Sequence, residues 1–453
     1  MKEFSKTRVH RAWWIAAVTG LVIVVTGAST GMPDLLTDPL QQDFGWSHPL
    51  LGVAFGIDMA LYGVVAPFAA ALMDSFGVRR VVAAALVTIA AGTALTAVMT
   101  ASWQLVLGWG FLLGLGTGCM ALTFAATVAT RWFVARRGLV SGVLTSASMF
   151  GGMVVLPLLA WVVKQHGWRP SVVVVGLAAL LLLPPVWLLL RDHPADLGLK
   201  AYGAKEFTPK PAPVRGAARH ALTVLRDAAR TGPFWLLVGS YGICGASTNG
   251  IMMTHFVPAA HEGGMPITVA ASLLAVMGVC NVAGATGSGW LTDRFDPRRL
   301  LAISYSSRGV SLAFLPMVLG PVVHLPLLVF VVAYGLLDLA TVPPTIALCR
   351  RFHGDDGPVV FGWVNAAHQL GAAAAAFLGG AARAASGGYD IVWLGAAVLC
   401  GLATGLSMAI RRAASRQAQD RKRPPPISSS RMRTSSRIRR TTSSSPRPAR
   451  TSC

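Results

Sequence analysis

Apolar residues are gathered in long runs along this chain, and short polar stretches separate the runs. A helix needs about 20 apolar residues to cross the hydrocarbon core of a bilayer. By that measure the pattern predicts twelve membrane-spanning helices, six in each half of the chain: 13–33, 49–72, 80–99, 103–129, 138–163 and 170–190, then 233–258, 267–291, 300–320, 324–348, 358–382 and 389–410. The predicted fold class is therefore an all-α membrane protein.

One short polar pattern occurs twice, each time between two predicted helices. Asp74-Ser-Phe-Gly-Val-Arg79-Arg80 and Asp293-Arg-Phe-Asp-Pro-Arg298-Arg299 share the spacing D-x-F-x-x-R-R. Self-similarity at half the length of an apolar chain is typical of a duplicated transporter. The chain then divides into a cytoplasmic N-terminus, a six-helix half, a cytoplasmic linker, a second six-helix half and a tail: 1–12, 13–190, 191–232, 233–410 and 411–453.

The charge distribution indicates how the helices are oriented. Hydrophobic residues make up 54% of the chain, charged residues 13%, and the formal net charge is +21. With a cytoplasmic N-terminus, the predicted outer loops hold only Lys164, Arg169 and Arg383 of the 39 Lys and Arg residues, and Arg308 lies within a helix. Because cytoplasmic loops are rich in Lys and Arg, we expect both termini in the cytoplasm and a multi-pass protein of the inner (plasma) membrane. The charge thus reflects orientation in a lipid bilayer and not a nucleic-acid partner.

Two polar segments lie outside the predicted bundle. Within the linker, residues 216–231 alternate basic and apolar positions, which is typical of a short interfacial helix. The Arg-, Ser- and Pro-rich tail 411–453 has too few apolar residues to bury a core, so we predict that it is disordered. A solvated tail that touches anionic lipid is the favoured interpretation. A nucleic-acid-binding tail and the product of a shifted reading frame are the alternatives.

The repeated loop resembles the cytoplasmic loop signature of the major facilitator superfamily, G-x-x-x-D-x-x-G-R-R. The second copy keeps the glycine, at Gly289, where the first has Ala70. The resemblance implies two pseudo-symmetric six-helix halves and a secondary transporter that needs no cofactor and works by alternating access. It also implies a gating role for both loops, in which an Asp at the end of a helix pairs with an Arg across the loop: Asp74, Arg79, Arg80, Asp293, Arg298 and Arg299.

Further motifs resemble the monocarboxylate and oxalate/formate branch of that superfamily. They are Phe44-Gly45-Trp46-Ser47, Gly167-Trp168-Arg169 and the stretches 131–139 and 191–199. The branch implies a small organic anion as the solute. Monocarboxylate carriers hold an Asp and an Arg four residues apart in helix eight, whereas the matching positions here are Asn281 and Ala285. An anion would then need another cation, either Arg308 or a protonated His368.

Ionisable residues at membrane depth are costly, so by default they mark a functional site or a pairing partner. Asp58 lies near mid-membrane with Tyr62 one turn on, either as a protonated residue or as the carrier of a coupling proton. Arg308 and Asp338 fall at matched depths, which predicts a buried ion pair or, for Asp338, a substrate or proton role. Just after Asp338, the sequence Thr-Val-Pro-Pro-Thr at 341–345 is expected to break the helix and free backbone carbonyl groups.

Other polar side chains are candidates for the solute pathway. Asn365, His368 and Gln369 share one face of a helix at the spacing i, i+3, i+4, and a histidine can carry a proton near neutral pH. Hydrogen bonds between packed helices are the alternative role for these residues. Asn249 in helix seven is a further candidate. The six cysteines have no paired spacing, which favours small core residues over disulfides or metal ligands.

Together these features predict a monomeric secondary transporter that moves a small organic solute and is coupled to protons. A multidrug or metabolite exporter of the same fold is the alternative, although helix five lacks the G-P-x-x-G-G order of antiporters. A non-transporting membrane receptor is a distant alternative, since the sequence predicts no large domain outside the bundle. An enzyme is not expected, because no nucleophile–base pair, metal-ligand cluster or phosphate loop appears.

Overall fold

The computed structural model describes residues 10–120, 122–211 and 216–422. In those residues the chain is helical, apart from turns and an isolated bridge between Phe133 and Tyr202. The helices of the first half are α1 (Arg11–Phe44), α2 (His48–Phe76), α3 (Val78–Ala97), α4 (Ser102–Leu105), α5 (Gly114–Cys119), α6 (Leu122–Trp132), α7 (Arg137–Phe150), α8 (Leu156–His166), α9 (Trp168–Leu181) and α10 (Leu183–Leu189). The π-helical segments Val106–Leu113 and Gly151–Val155 join α4 to α5 and α7 to α8, and a 3-10 turn covers Pro194–Leu197.

The linker and the second half continue the helical pattern. Their helices are α11 (Ala217–Ala229), α12 (Gly232–Gly245), α13 (Thr254–Glu262), α14 (Ile267–Thr292), α15 (Pro297–Val318), α16 (Leu325–Asp338), α17 (Val342–His353), α18 (Gly357–Ser386) and α19 (Asp390–Lys422). A π-helical segment, Ala246–Met253, joins α12 to α13. The 3-10 turns Leu339–Thr341 and Gly354–Asp356 flank α17.

Nine stretches of the described residues are long and apolar enough to cross a membrane. They contain ten of the twelve predicted spans, because the stretch Leu325–Ser386 includes two of them. The other two predicted spans, 138–163 and 233–258, correspond to helices that π-helical segments interrupt, α7 with α8 and α12 with α13. A multi-pass helical membrane protein is thus confirmed, and the full count of twelve stays a prediction.

The first helix is longer than the sequence pattern predicts. The predicted span ends at residue 33, whereas α1 continues to Phe44 through Pro33 and Pro39. Leu36 and Leu40 are fully buried in a core that includes Trp109, and this burial offsets the backbone hydrogen bonds that the prolines remove. Gly45, with φ at +66°, ends the helix in the left-handed conformation.

Glycines bring the helix backbones into contact within each half. A Cβ atom at Gly110, Gly114 or Gly118 would lie 3.0 Å from the backbone of α2, at Ala54, Asp58 and Leu61 respectively. In the second half, a Cβ at Gly284 would clash with the carbonyl of Leu336. The absence of a side chain at Gly284 therefore allows α14 to pack closely against α16. Small residues at such positions allow close packing where lipid supplies no hydrophobic driving force.

The two halves meet chiefly on one face of the bundle. We call it the basic face, and it carries both D-x-F-x-x-R-R loops and the linker. There α7 packs on α14, with Gly142 against Ala285, and α2 packs on α18, with Pro67 against Gly362. In the described residues α8 and α13, which lead away from the basic face, make their main contacts within their own halves.

The linker helix joins the halves on the basic face. The sequence predicts an interfacial helix over 216–231, and α11 packs its apolar side against protein, on α2 and α18. Ala221 is fully buried, and its carbonyl accepts a hydrogen bond of 3.1 Å from Trp363 Nε1. The amphipathic pattern of this segment is therefore satisfied by the bundle.

The last helix extends beyond the predicted span. Disorder is predicted from residue 411, whereas α19 continues to Lys422. Arg, Ala and Gln dominate the sequence 411–422, and these residues propagate a helix that is already nucleated. Residues 423–453 of the predicted disordered tail lie outside the described residues.

Candidate transport site and loop contacts

The acid of the first loop has its main partner in its own half, and its other oxygen lies 3.8 Å from His220 Nε2 of the linker helix. The Asp74 carboxylate forms an ion pair with Arg131, at the end of α6. The expected pairing of Asp74 with an arginine of its own loop is wrong, because Arg79 is engaged elsewhere. Its backbone N–H donates to Asp192 Oδ1 at 3.2 Å, and its guanidinium lies 4.5 Å from the centre of the Trp187 ring. Gly77 allows this approach, since a Cβ there would clash with the Asp192 carboxylate.

The acid of the second loop binds the other half of the protein. Asp293 accepts hydrogen bonds from the backbone N–H groups of Gly138 at 2.7 Å and Leu139 at 2.9 Å. Both groups belong to the first turn of α7, where unpaired N–H groups and the helix dipole favour an anion. The equivalent acids of the two loops therefore have different partners, and neither pairs with an arginine of its own loop.

The remaining loop arginines also have specific surroundings. Arg298 pairs with Asp296 at 2.6 Å, and its hydrogen bonds lower the pKa of the Asp296 carboxyl. Asp296 also caps the N-terminus of α15, because its side chain accepts a hydrogen bond from the backbone N–H of Arg298. Arg80 and Arg299 are exposed.

A polar cluster lies in the core of the second half, around the break between α16 and α17. Arg308 is fully buried. Its guanidinium donates to the backbone carbonyls of Leu337 at 2.7 Å and Asp338 at 2.5 Å, and to Ser247 Oγ at 3.2 Å. Arg308 and Asp338 are both buried and adjacent, but the predicted ion pair between them is not formed, because Arg308 binds the backbone carbonyl of residue 338 and not its carboxylate.

Proline explains why one carbonyl at this break needs a side-chain donor. Pro344 has no N–H, so the carbonyl of Ala340 lacks its helical partner and accepts from Ser288 Oγ of α14 instead. The chain forms a 3-10 turn at Leu339–Thr341 before α17 begins. The predicted helix break and freed carbonyl groups are both present, and protein side chains satisfy the carbonyls of residues 337, 338 and 340.

The Asp338 carboxylate faces α14. One oxygen, Oδ2, accepts from Asn281 Nδ2 at 2.9 Å. The other, Oδ1, is buried and has no hydrogen-bond partner among the described residues. Asn281, which occupies the position of the monocarboxylate carriers' helix-eight acid, is therefore part of the same cluster as Arg308.

Asp58 lies in a different setting. Its backbone lies where Gly114 approaches α2, and the residue is 2% exposed. Asp58 Oδ1 has no hydrogen-bond partner among the described residues, and none of their cations lies within 4.0 Å. Tyr62, one turn on, is half-buried. Asp58 is thus a buried acid without a counter-charge.

The α18 residues lie between the halves. His368 Nδ1 is 3.2 Å from Gln369 Oε1, and the His368 ring centre is 4.8 Å from that of Tyr241. The Gln369 side chain packs against Gly63 of α2, next to Tyr62. Asn365 is buried, and Asn249 is exposed on the π-helical segment of the second half.

The sequence of this chain matches the model of the Major Facilitator Superfamily over residues 17–354, and again over 248–446. This chain belongs to the Major Facilitator Superfamily. The resemblance stated from the loop motifs is therefore confirmed, and the protein is a transporter of this superfamily and not an enzyme.

Known relatives of this transporter include carriers of carboxylates. Monocarboxylate transporter 13 of Bos taurus is 28% identical over 356 residues, which are 77% of each chain. The gallate transporter of Pseudomonas putida is 24% identical over 322 residues, covering 67% of this chain and 70% of that one. Among solved structures, the E. coli fucose:proton symporter FucP aligns with a TM-score of 0.66 at 16% identity, covering 87% of this chain and 98% of that one. That similarity supports the fold.

The structure of the transporter divides the predicted site residues into two groups. Gln369 packs against Gly63 of α2 at the contact between the halves, with His368 beside it and Tyr62 next to Gly63 in the chain, whereas Asn281, Arg308 and Asp338 form the cluster inside the second half. Asp58 lies one turn before Tyr62 in α2, and Asn249 is exposed on the π-helical segment of the second half. Arg308, with no exposed surface, is not positioned to meet a solute in this conformation.

Sequence reasoning missed several partners in this transporter. Cys244, expected to be a small core residue, accepts from Arg308 at 3.3 Å and lies 3.2 Å from Thr341 Oγ1. The role of Ser288 was also missed, although its place beside Gly289 and the proline pair in helix ten are visible in the sequence. In the described residues no group of His, Cys, Asp and Glu could hold a metal ion.

Proposed function

We propose that this protein is a secondary transporter that moves a small organic anion across the inner membrane by alternating access, coupled to protons. In this proposal the basic face is cytoplasmic, as the distribution of Lys and Arg predicts. The described conformation is then closed towards the cytoplasm. The observation that carries the proposal is that, in the described residues, the main contacts between the halves lie on the basic face.

A limited set of contacts holds the basic face closed. The carboxylate of Asp293 binds the first turn of α7, and Ser146 Oγ bridges the halves to the carbonyl of Val282 at 2.9 Å. Between these points the backbones approach closely at Gly142. Such contacts can separate as a rigid-body rocking of one half against the other, which is how transporters of repeated halves alternate access.

Asp58 is our candidate for the proton carrier. An ionised carboxylate is strongly disfavoured in an apolar site without a counter-charge. Asp58 should therefore hold a proton while it is buried and release it when rocking admits water. Asp338 has Arg308 beside its backbone and Asn281 on its carboxylate, which suits a fixed structural cluster.

The solute is proposed to bind between Tyr62, His368 and Gln369. These side chains come from both halves, so a solute there would respond to their separation. A protonated His368 would supply the cation that a carboxylate requires, because Arg308 is enclosed in the second half. The names of the relatives support a carboxylate: they include transporters of monocarboxylates, gallate and 4-hydroxybenzoate.

The test is uptake of labelled acetate, lactate, gallate and 4-hydroxybenzoate into proteoliposomes, in both orientations and with or without a pH gradient. We expect gradient-driven accumulation of at least one of them. Asp58→Asn should abolish accumulation but keep exchange of labelled for unlabelled solute, because exchange needs no net proton movement. Asp390→Asn, at an exposed residue of α19, is the matched control and should behave as wild type.

Two outcomes would count against this function. If Asp58→Asn accumulates solute as well as Asp390→Asn does, Asp58 carries no coupling proton. If none of the four carboxylates moves in either orientation, the carboxylate assignment is wrong. Proton-driven efflux of unrelated hydrophobic compounds in the same vesicles would then favour the multidrug or metabolite exporter.

A further inference from the structure

A cavity of about 440 Å³ lies on the basic face, where both halves and the linker meet. It is separate from the contacts between α2 and α18 near Gln369. The residues that line it include six Arg or Lys and four Asp side chains. The basic residues come from the first half, the linker and the second half: Arg79, Arg80, Arg131, Arg137, Lys210 and Arg350.

Ion pairs account for only part of this positive charge. Arg131 pairs with Asp74, Lys210 lies 3.7 Å from Asp192, and Arg350 lies 3.5 Å from Asp355. The fourth acid, Asp356, is 3.4 Å from the ring of His220. Of the described carboxylates, none lies within 4.0 Å of the Arg79, Arg80 or Arg137 guanidinium groups.

Two of the cavity's arginines, from opposite halves, repel each other. Arg137 precedes the predicted span 138–163, and burial together with nearby Arg350 lowers its pKa to about 10, against the opposing effect of Asp293 and Asp355. The Nε atom of Arg137 donates a hydrogen bond of 2.7 Å to the carbonyl of Phe133. Its two terminal nitrogens are therefore available to a ligand in the cavity.

We propose that this cavity binds a phosphate group, either free phosphate or a phosphate monoester headgroup, through Arg79, Arg80 and Arg137. A phosphate dianion offers several acceptor oxygens, and guanidinium groups bind such oxygens with strong, charge-assisted hydrogen bonds. The volume accommodates a ligand of this size. A bound dianion would also relieve the repulsion between Arg137 and Arg350.

The position of the cavity gives the ligand a regulatory effect. Its lining comes from both halves, so the site exists only while the basic face is closed. A ligand that binds one conformation and not the other shifts the population towards the first. Phosphate should therefore favour the closed basic face and slow turnover, an effect that rests on the proposed transport function. Binding itself does not depend on that function.

The test uses the purified full-length chain in a neutral detergent, with inorganic phosphate as the probe. Binding of labelled phosphate is measured by equilibrium dialysis at constant ionic strength, for the wild type, Arg137→Gln, Arg80→Gln and Arg226→Gln. We expect saturable binding that becomes roughly tenfold weaker in Arg137→Gln and Arg80→Gln, since each removes a charge-assisted contact. Arg80 is exposed, so its variant should fold even if Arg137→Gln does not.

Arg226 is the control, because it is an exposed arginine on the linker helix outside the cavity. Equal binding by all four proteins, or no saturable binding to the wild type, would overturn the proposal. A second arm repeats the dialysis in nanodiscs with and without phosphatidic acid. If that lipid displaces phosphate, the natural ligand is a headgroup, and if it does not, the ligand is free phosphate.

Failures of the two proposals are distinguishable. Phosphate binding with the expected variant pattern, but no carboxylate uptake, would leave the site standing and remove the proposed solute. Proton-driven uptake without phosphate binding would do the reverse.

Discussion

The two halves of this transporter carry equivalent residues but use them differently. In the first half, Asp74 pairs with Arg131 of its own half, and the intramembrane acid Asp58 has no counter-charge. In the second half, Asp293 binds the backbone of α7 across the interface, and Asp338 lies in a cluster with Arg308. The two halves thus keep the loop acids at equivalent positions, but the charged and polar partners of their acids differ.

This difference suggests that the two halves have different roles in transport. A half whose buried acid has a cation on its backbone carbonyl and a hydrogen bond from Asn281 on its carboxylate is suited to be a rigid body. A half whose acid lacks compensation holds a group that must change protonation when its surroundings change. We infer that the second half is the more rigid one and supplies the Asp293 contact that holds the basic face closed. In the proposed function the first half supplies the proton site, Asp58.

The largest effect is expected from removing the guanidinium of the cluster. Arg308→Met would leave the carbonyls of Leu337 and Asp338 without donors and the acid without its neighbouring cation. Breaking such a buried charge arrangement costs about 3–5 kcal/mol, which would be measured as the free energy of unfolding in a denaturant titration. The double variant Arg308→Met with Asp338→Leu should recover part of that loss. A single variant as stable as the wild type would show that the cluster is not the frame of the second half.

The proline break gives the next effect in size. Ser288→Ala removes the donor to the carbonyl of Ala340, and leaving a buried carbonyl unpaired costs about 1–3 kcal/mol. Ser306→Ala is the matched control, since Ser306 is exposed and its hydroxyl bonds only within its own helix turn. If both variants lose the same stability by thermal unfolding, the carbonyl of Ala340 does not depend on Ser288.

The two loop acids should differ in their effect on conformation. Asp293→Asn weakens the contact between the halves and should shift the equilibrium away from the closed basic face by roughly tenfold, as expected for the loss of a charge-assisted hydrogen bond. Asp74→Asn should shift it less, because its ion pair with Arg131 lies within one half. Spin labels at the exposed residues 136 and 294 report the separation, and equal shifts in both variants would contradict this assignment.

A smaller difference is expected at the starts of the helices that follow the loops. Gly77, with φ at +90°, precedes α3, whereas the equivalent Asp296 caps α15. Because the pKa of Asp296 is lowered in the folded protein, its contribution is present above its unfolded pKa of about 3.9 and is lost as the pH falls through the lower folded value. The wild type should lose up to about 1 kcal/mol over that interval relative to Asp296→Asn. Parallel melting curves of the two proteins between pH 5 and 2.5 would refute the expectation.

The smallest effect on stability is expected at Asp58. If this acid is protonated while buried, Asp58→Asn replaces one neutral group with another of similar size, and the free energy of unfolding at pH 7 should change by less than about 1 kcal/mol. Asp338→Asn should cost more, because it removes the charge beside Arg308. If both variants lose the same free energy of unfolding, the buried acids of the two halves do not differ as proposed.

Much of the architecture could be predicted from the sequence, because helices in a membrane must satisfy their backbone internally and therefore require long apolar runs. The runs place most of the helices, and the repeated Asp loops locate the turn between α2 and α3 and between α14 and α15. The extension of α1 to Phe44 was not visible, since two prolines and a polar stretch suggested a loop. Only the burial of Leu36 and Leu40 against the neighbouring helices favours the helix there.

For the candidate site, the sequence by itself determined which residue types lie at membrane depth: an acid in helix two, a cation and an acid at matched depths, and a polar face on α18. It also determined that the proline pair frees carbonyl groups, since proline lacks the N–H. Only the tertiary structure decided that Ser288 donates to one of those carbonyls and Arg308 to the two carbonyls before the break. It also decided that Asp293 reaches α7 of the other half and that three arginines without a carboxylate partner share one cavity. Partners far apart along the chain are chosen by helix packing, and local sequence spacing does not encode that choice.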